Sequence, residues 1–154
     1  MADQKPSVFI RILDFYEVNV CDMVRKIRIK NTSIGHVSAE FLKNKNTKTA
    51  DAIWNALPIE ANANLWGEEI YFSTNVNAAL ENSQDLVDVG DIAYWPPGEA
   101  FCIFFGPTPA STDDQPRAAS SVNVFARVRG DPSIFKKVRD GERMVIERET
   151  TRMR

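Results

Sequence analysis

His36 is the only histidine in the chain, so a Ser-His-Asp hydrolase site or an imidazole-bound metal would have to be built on it. It follows Gly35 at a predicted turn, a position that describes an exposed side chain rather than a catalytic base. Glu68 and Glu69, and Asp85, Asp88 and Asp91, offer material for an acid–base pair or a calcium site. Adjacent strand residues face opposite ways and the spacing of a calcium loop is missing, so these carboxylates read as solvated charges. Cys21 and Cys102 stand far apart without CxxC spacing, and both are expected to be free, buried thiols. GxSxG, HExxH, the glycine-rich phosphate loop and GxGxxG do not occur, which leaves nucleophilic hydrolysis, zinc chemistry and dinucleotide binding without support. Neither a metal nor a cofactor is expected.

Lys26, Arg28 and Lys30 alternate with Ile27 and Ile29, as a phosphate-binding stripe would, or as the wet face of a half-buried strand would. The formal net charge of −2 favours the second reading, because no global positive field exists to gather phosphate backbones or anionic lipid. Nucleic acid and membrane are therefore not expected as partners. The rings of Trp66, Tyr71, Phe72, Trp95, Phe101 and Phe105 are the remaining chemical resource. Each can pack in a core, and each can turn an apolar face to a ligand. For Trp66 and Trp95, beside predicted turns, the two readings are evenly matched. Arg117 falls in a loop, where a solvated charge is the ordinary role.

Short strands must position these groups. Residues 8–13 are nearly all apolar, residues 25–30 alternate, and Val37, Ala39 and Phe41 alternate again after the break at Gly35. Asn46 or Thr47 can cap a helix that puts Ala50, Ile53, Trp54 and Leu57 on one face before Pro58 ends it. Residues 59–65 and 70–72 read as a hairpin turning at Gly67. Residues 90–95 and 101–106 are two strong strands joined by Pro96-Pro97-Gly98-Glu99, a type II turn with Gly98 at positive φ. Residues 107–121 form a long loop expected to overhang a site. Val122, Val124, Ala126 and Val128 then alternate inward along a strand. Asp131-Pro132 opens a second short helix closed by Gly141, and residues 144–146 make a last strand.

Eight or nine strands with two helices argue for a barrel or sandwich rather than a doubly wound sheet. At 154 residues the chain suits one domain, able to bury roughly 70% of its unfolded surface. No run of about 18 apolar residues occurs, and the polar start at residues 1–6 is unlike a secretory leader, so the expected compartment is the cytoplasm.

Three segments together carry a resemblance: residues 47–58 with Ile53-Trp54, the run Trp66-Gly67-Glu68-Glu69-Ile70-Tyr71-Phe72, and residues 90–109 from Gly90-Asp91-Ile92 through Trp95-Pro96-Pro97-Gly98 to Phe104-Phe105-Gly106-Pro107-Thr108-Pro109. They resemble a prokaryotic cyclophilin-like family without an established activity, over residues 26–129. The resemblance implies a closed antiparallel β-barrel with helices capping its openings, flanked by extensions over residues 1–24 and 131–154. True cyclophilins isomerise the bond before proline with an arginine from a Phe-His-Arg strand, beside a Gln-Phe-Phe strand. Against those motifs Phe72 stands where the arginine belongs and Ile103 where the glutamine belongs, leaving Phe105 as a groove aromatic. Phe72 cannot donate a hydrogen bond, and Arg117 is the one conceivable substitute.

The resemblance also brings the hairpins 66–72 and 90–106 together. The leading expectation is a binding module that holds an apolar or peptide-like ligand in a groove of Trp66, Tyr71, Phe72, Trp95, Phe101 and Phe105, with Arg117 in the loop at its rim. A weak or divergent prolyl isomerase is one alternative. A structural subunit, its apolar face covered by another chain, is the other.

Overall fold

The computed structural model describes residues 24–149, so the predicted strand at 8–13 and Cys21 lie outside the described residues. Among the described residues ten strands form one sheet: β1 (Lys26–Asn31), β2 (Gly35–Phe41), β3 (Ile59–Asn62), β4 (Asn64–Leu65), β5 (Glu69–Ser73), β6 (Gln84–Leu86), β7 (Asp91–Trp95), β8 (Ala100–Phe104), β9 (Arg117–Val128) and β10 (Arg143–Arg148). Their order is β3-β10-β1-β2-β9-β7-β8-β5-β4, with β6 paired to β9, and the ladders are antiparallel. Alternation of Lys26, Arg28 and Lys30 with buried Ile27 and Ile29 makes β1 a half-buried strand, as predicted. Lys30 and Arg28 meet Glu147 of β10 at 3.6 and 4.0 Å, so the basic stripe is the wet face of that strand pair.

The described residues do not form the closed ring of ladders that the barrel expectation required. The sheet has two ends, β3 and β4, although only Ala63 separates them in the chain. Residues 59–65 were expected to pair with residues 70–72, but only Asn64–Leu65 does so, while Ile59–Asn62 pairs with the distant β10. The physical reason lies at Ala63, whose N–H donates to the Glu142 carbonyl at 2.7 Å and whose carbonyl accepts from Gly141 N–H at 2.8 Å. Those bonds turn the chain from one edge of the sheet to the other. The seam is therefore spanned by the loop before β10 rather than by a ladder.

The sheet packs on both faces. One face carries the main core, in which Ile27, Ile29, Ile53, Phe72, Phe101 and Phe125 are fully buried and the rings of Phe72 and Phe101 stack at 5.2 Å. The other face carries a second cluster that includes Val87, Ala93, Cys102, Phe104, Val122 and Val124. The predicted common face for Val122, Val124, Ala126 and Val128 is overturned by a bulge. Val124 opposes Ala93 and Ala126 opposes the next residue, Ile92, so Phe125 is supernumerary and the side chains beyond it change face.

The helix α1 (Thr47–Ala56) buries Ala50 and Ile53 as its spacing requires. Its cap comes from elsewhere: Asn46 is left-handed without a side-chain cap, and the Glu81 carboxylate accepts from Thr49 N–H at 2.7 Å and Lys48 N–H at 3.3 Å. The second helix is a 3₁₀ segment, Pro132–Lys137, ending at Val138 rather than Gly141, with Asp131 accepting from Ser133 N–H at 3.0 Å. Residues 96–98 are also a 3₁₀ turn, and the left-handed residue is Glu99 (φ 47°) rather than Gly98. No helix among the described residues is long and apolar enough to cross a membrane.

Candidate functional site

Strand parity and one overlong strand build the site. On β5, Ile70 and Phe72 enter the main core, which sends Glu69 and Tyr71 to the other face. Strand β9 begins at Arg117, yet its ladder with β7 begins only where Asn123 opposes Tyr94. The stretch before it pairs with β6 instead, Arg117 opposite Leu86 and Val122 opposite Gln84, and overhangs the outer face. Its Ala118, Ala119 and Val122 form one wall of a cavity of about 190 Å³, whose other walls are Trp66, Glu69, Tyr71 and Trp95.

Both tryptophans are held by their turns. Trp66 and Glu69 exchange backbone hydrogen bonds of 2.9 and 3.2 Å around Gly67, which has φ +58°. A Cβ on Gly67 would fall 2.7 Å from Pro109 Cδ and 2.9 Å from Thr108 Cα, so residues 107–109 pack directly on that turn. Trp95 donates from Nε1 to Ser120 Oγ at 2.7 Å. Its ring also lies over Gly98, where a Cβ would come within 2.9 Å of it. Gly98 is thus required by close approach rather than by positive φ. At Ser120 lies a second, open groove, lined by Leu80, Pro96, Pro97, Ser120 and Ser121.

Glu69 is the feature that the sequence reading missed. It was read as a solvated charge, but it is only 6% exposed, because the outer face of the sheet is covered as well as the inner one. Burial pushes its carboxyl up to about 7, and hydrogen bonding with the Cys102 thiol opposes part of that rise. Cys102 is free and buried, and burial, then the neighbouring Glu69, drive its thiol well above the ordinary range. That thiol is inert at neutral pH. Its Sγ donates to the Ala100 carbonyl at 3.9 Å.

Of the seven residues predicted for the groove, the structure brings Trp66, Tyr71 and Trp95 together. Phe72, Phe101 and Phe105 do not join them: their exposures are 1%, 0% and 6%, and all three sit in the main core. Phe72 and Phe101 fall on the inward parity of β5 and β8, and Phe105 packs its ring 6.2 Å from Phe135. Arg117 is next to the wall but is engaged elsewhere, its Nη1 2.9 Å from Asp85 Oδ2. The loop at the rim ends at Pro116, earlier than predicted, and Ser111 Oγ ties it together through Thr108 N–H, Arg117 N–H and the Gln115 carbonyl.

Other candidates are occupied structurally. Asp91, read as solvated, is 2% exposed, accepting from Arg127 Nη2 at 2.8 Å and from Asp88 N–H at 2.8 Å. His36 is exposed, at the edge of an open groove with Ser38, Arg129 and Asp131. No three His, Cys, Asp or Glu side chains among the described residues gather as metal ligands.

Three comparisons with known proteins bear on this arrangement. A family model described as Cyclophilin-like matches residues 25–147. The solution structure of a hypothetical protein from Archaeoglobus fulgidus is similar, with 45% identity, a TM-score of 0.70 and coverage of 82% of this chain and 95% of that one. No curated protein matches.

Proposed function

The chain belongs to the cyclophilin-like family, and from that premise we propose that it is a binding module, acting in the cytoplasm, that takes an apolar or peptide-like ligand between Trp66, Tyr71 and Trp95. One observation carries this reading. Trp95 is half-buried and fixed from two sides, by the hydrogen bond to Ser120 and by the bare backbone of Gly98, while its ring still lines an open cavity. A ring ordered before binding loses little freedom when a ligand arrives, which is how preorganised aromatic contacts gain affinity. The groove toward Leu80, Pro96 and Pro97 gives a longer ligand somewhere to continue. We read the sheet as a barrel wall whose seam is closed by the Gly141 and Glu142 backbone rather than by a ladder.

The test compares two substitutions on one strand. In a thermal-shift screen followed by amide-shift mapping, Trp95→Ala is expected to abolish the response to any ligand that stabilises the native chain. Ile92→Ala, at a fully buried core position, is expected to lose about 2–5 kcal/mol of stability, more than Trp95→Ala loses. Shifts confined to Lys26, Arg28 and Lys30, or outright unfolding of Trp95→Ala, would overturn the assignment.

A further inference from the structure

We propose that the ligand's anchoring group is an alkylated ammonium, seated against Trp66, Tyr71 and Trp95 with the Glu69 carboxylate as its counter-ion. This inference rests on the reading of the same cavity as a ligand site. The negative face of an aromatic ring attracts a cation, most strongly for tryptophan, and three such rings line one small space. Glu69 is the one formally charged residue in that lining, and its carboxyl finds no cationic partner among the described residues. A buried carboxylate without a partner is costly, and a cation arriving in the cavity removes that cost. An uncharged ligand leaves it in place.

The same lining selects among cations. A guanidinium brings five N–H donors that must all be satisfied, whereas the cavity offers two carboxylate oxygens and apolar walls from Ala118, Ala119 and Val122. An ammonium whose hydrogens are replaced by methyl groups needs few acceptors or none, and spreads its charge over carbons that pack against rings. Size agrees with this. About 190 Å³ falls below the roughly 300–1,000 Å³ of sites that enclose whole drug-sized ligands, so the space suits a headgroup whose remainder leaves along the groove. Because Glu69 holds its proton to about pH 7, binding of the cation also expels that proton, which makes the affinity depend on pH.

The experiment titrates the full chain with choline and with 3,3-dimethyl-1-butanol, its uncharged carbon isostere, following tryptophan fluorescence and amide shifts at pH 8 and pH 5.5. At pH 8 choline is expected to bind about tenfold or more tightly than the isostere, a preference within the range of a desolvated cation–π contact joined to a carboxylate. The preference should shrink at pH 5.5, and Glu69→Gln should bring it close to unity at both pH values. Equal binding of the two probes at pH 8, or a choline preference indifferent to pH in the unmodified chain, overturns the ammonium inference and leaves the cavity a ligand site. Binding of neither probe removes the inference, and a screen in which no ligand of any class reaches Trp95 removes the underlying reading as well.

Discussion

A carboxyl buried among aromatic rings changes how the whole chain responds to acid. Glu69 ionises near 4.5 when unfolded and at about 7 when folded, so between those values the folded chain keeps a proton that the unfolded chain has released. Stability therefore falls as pH rises through that window, by on the order of 3 kcal/mol for a shift of this size, and then levels off. Below pH 4.5 both states are protonated and the penalty is absent. Asp91 shifts upward too, while Glu81, Asp131 and Glu142 shift downward, so the informative quantity is a difference between proteins. Urea melts at pH 4.5 and pH 8 should show Glu69→Gln gaining on the unmodified chain only at the higher pH, and parallel profiles would falsify the burial argument. Glu69 was illegible because period-two reading places it opposite Ile70 and Phe72, on a face taken for solvent. The missed signal is in the next strand, where Ala100–Phe104 is apolar without a break, the mark of a strand covered on both faces. Trp66 and Trp95 were legible for the opposite reason, since turns next to them announce rings that only half enter the core.

Elements with local causes were read correctly, and elements whose causes are distant were not. The helix face of Ala50 and Ile53, and the strands β1, β2, β7 and β8, follow from spacing within a dozen residues. The split of residues 59–65 depends on β10, the cap of α1 depends on a glutamate 32 residues beyond Thr49, and the bulge at Phe125 depends on β7. None of these leaves a periodic trace at its own position. The turn at Gly67 is where one such distant contact can be weighed. Gly67 and Gly141 both have positive φ, at +58° and +88°, but a Cβ on Gly141 meets nothing within 4 Å, whereas on Gly67 it meets the backbone of Thr108. Alanine at either position carries strain of about 1–2 kcal/mol, and at Gly67 it must also lift the loop from the turn. Thermal melts should show Gly67→Ala losing clearly more than Gly141→Ala, with new proteolytic cleavage between residues 107 and 116. Equal losses and an uncleaved loop would mean that the loop is held by Ser111 alone.

At the scale of the molecule, family membership fixes the fold and leaves the chemistry to the residues that stand in it. Rotation about a prolyl bond has a barrier of roughly 18–20 kcal/mol, and lowering it needs a donor aimed at the amide nitrogen. Phe72 faces the core, Ile103 is fully buried, and Arg117 is engaged with Asp85, so none presents a donor to the cavity. A cis–trans peptide assay should therefore read the uncatalysed rate, and acceleration abolished by Arg117→Ala would reverse the conclusion. The seam gives a second measurement. A closed barrel protects amides all the way round, because every strand has two ladder neighbours. Here the amides of Ala63, between β3 and β4, and of Leu65, in β4, are held instead by single contacts: Ala63 N–H on the Glu142 carbonyl, and Leu65 N–H on Asp140 Oδ1 at 2.9 Å. Contacts to a loop open without breaking the sheet, so native-state hydrogen exchange should show Ala63 and Leu65 exchanging by local opening, well before the amides of Phe101 and Ile103 in the middle of the sheet. Asp140→Ala should speed exchange at Leu65 further and leave Phe101 unchanged. If Leu65 exchanged as slowly as Phe101 in both proteins, the seam would have to be zipped in solution and the sheet closed on itself.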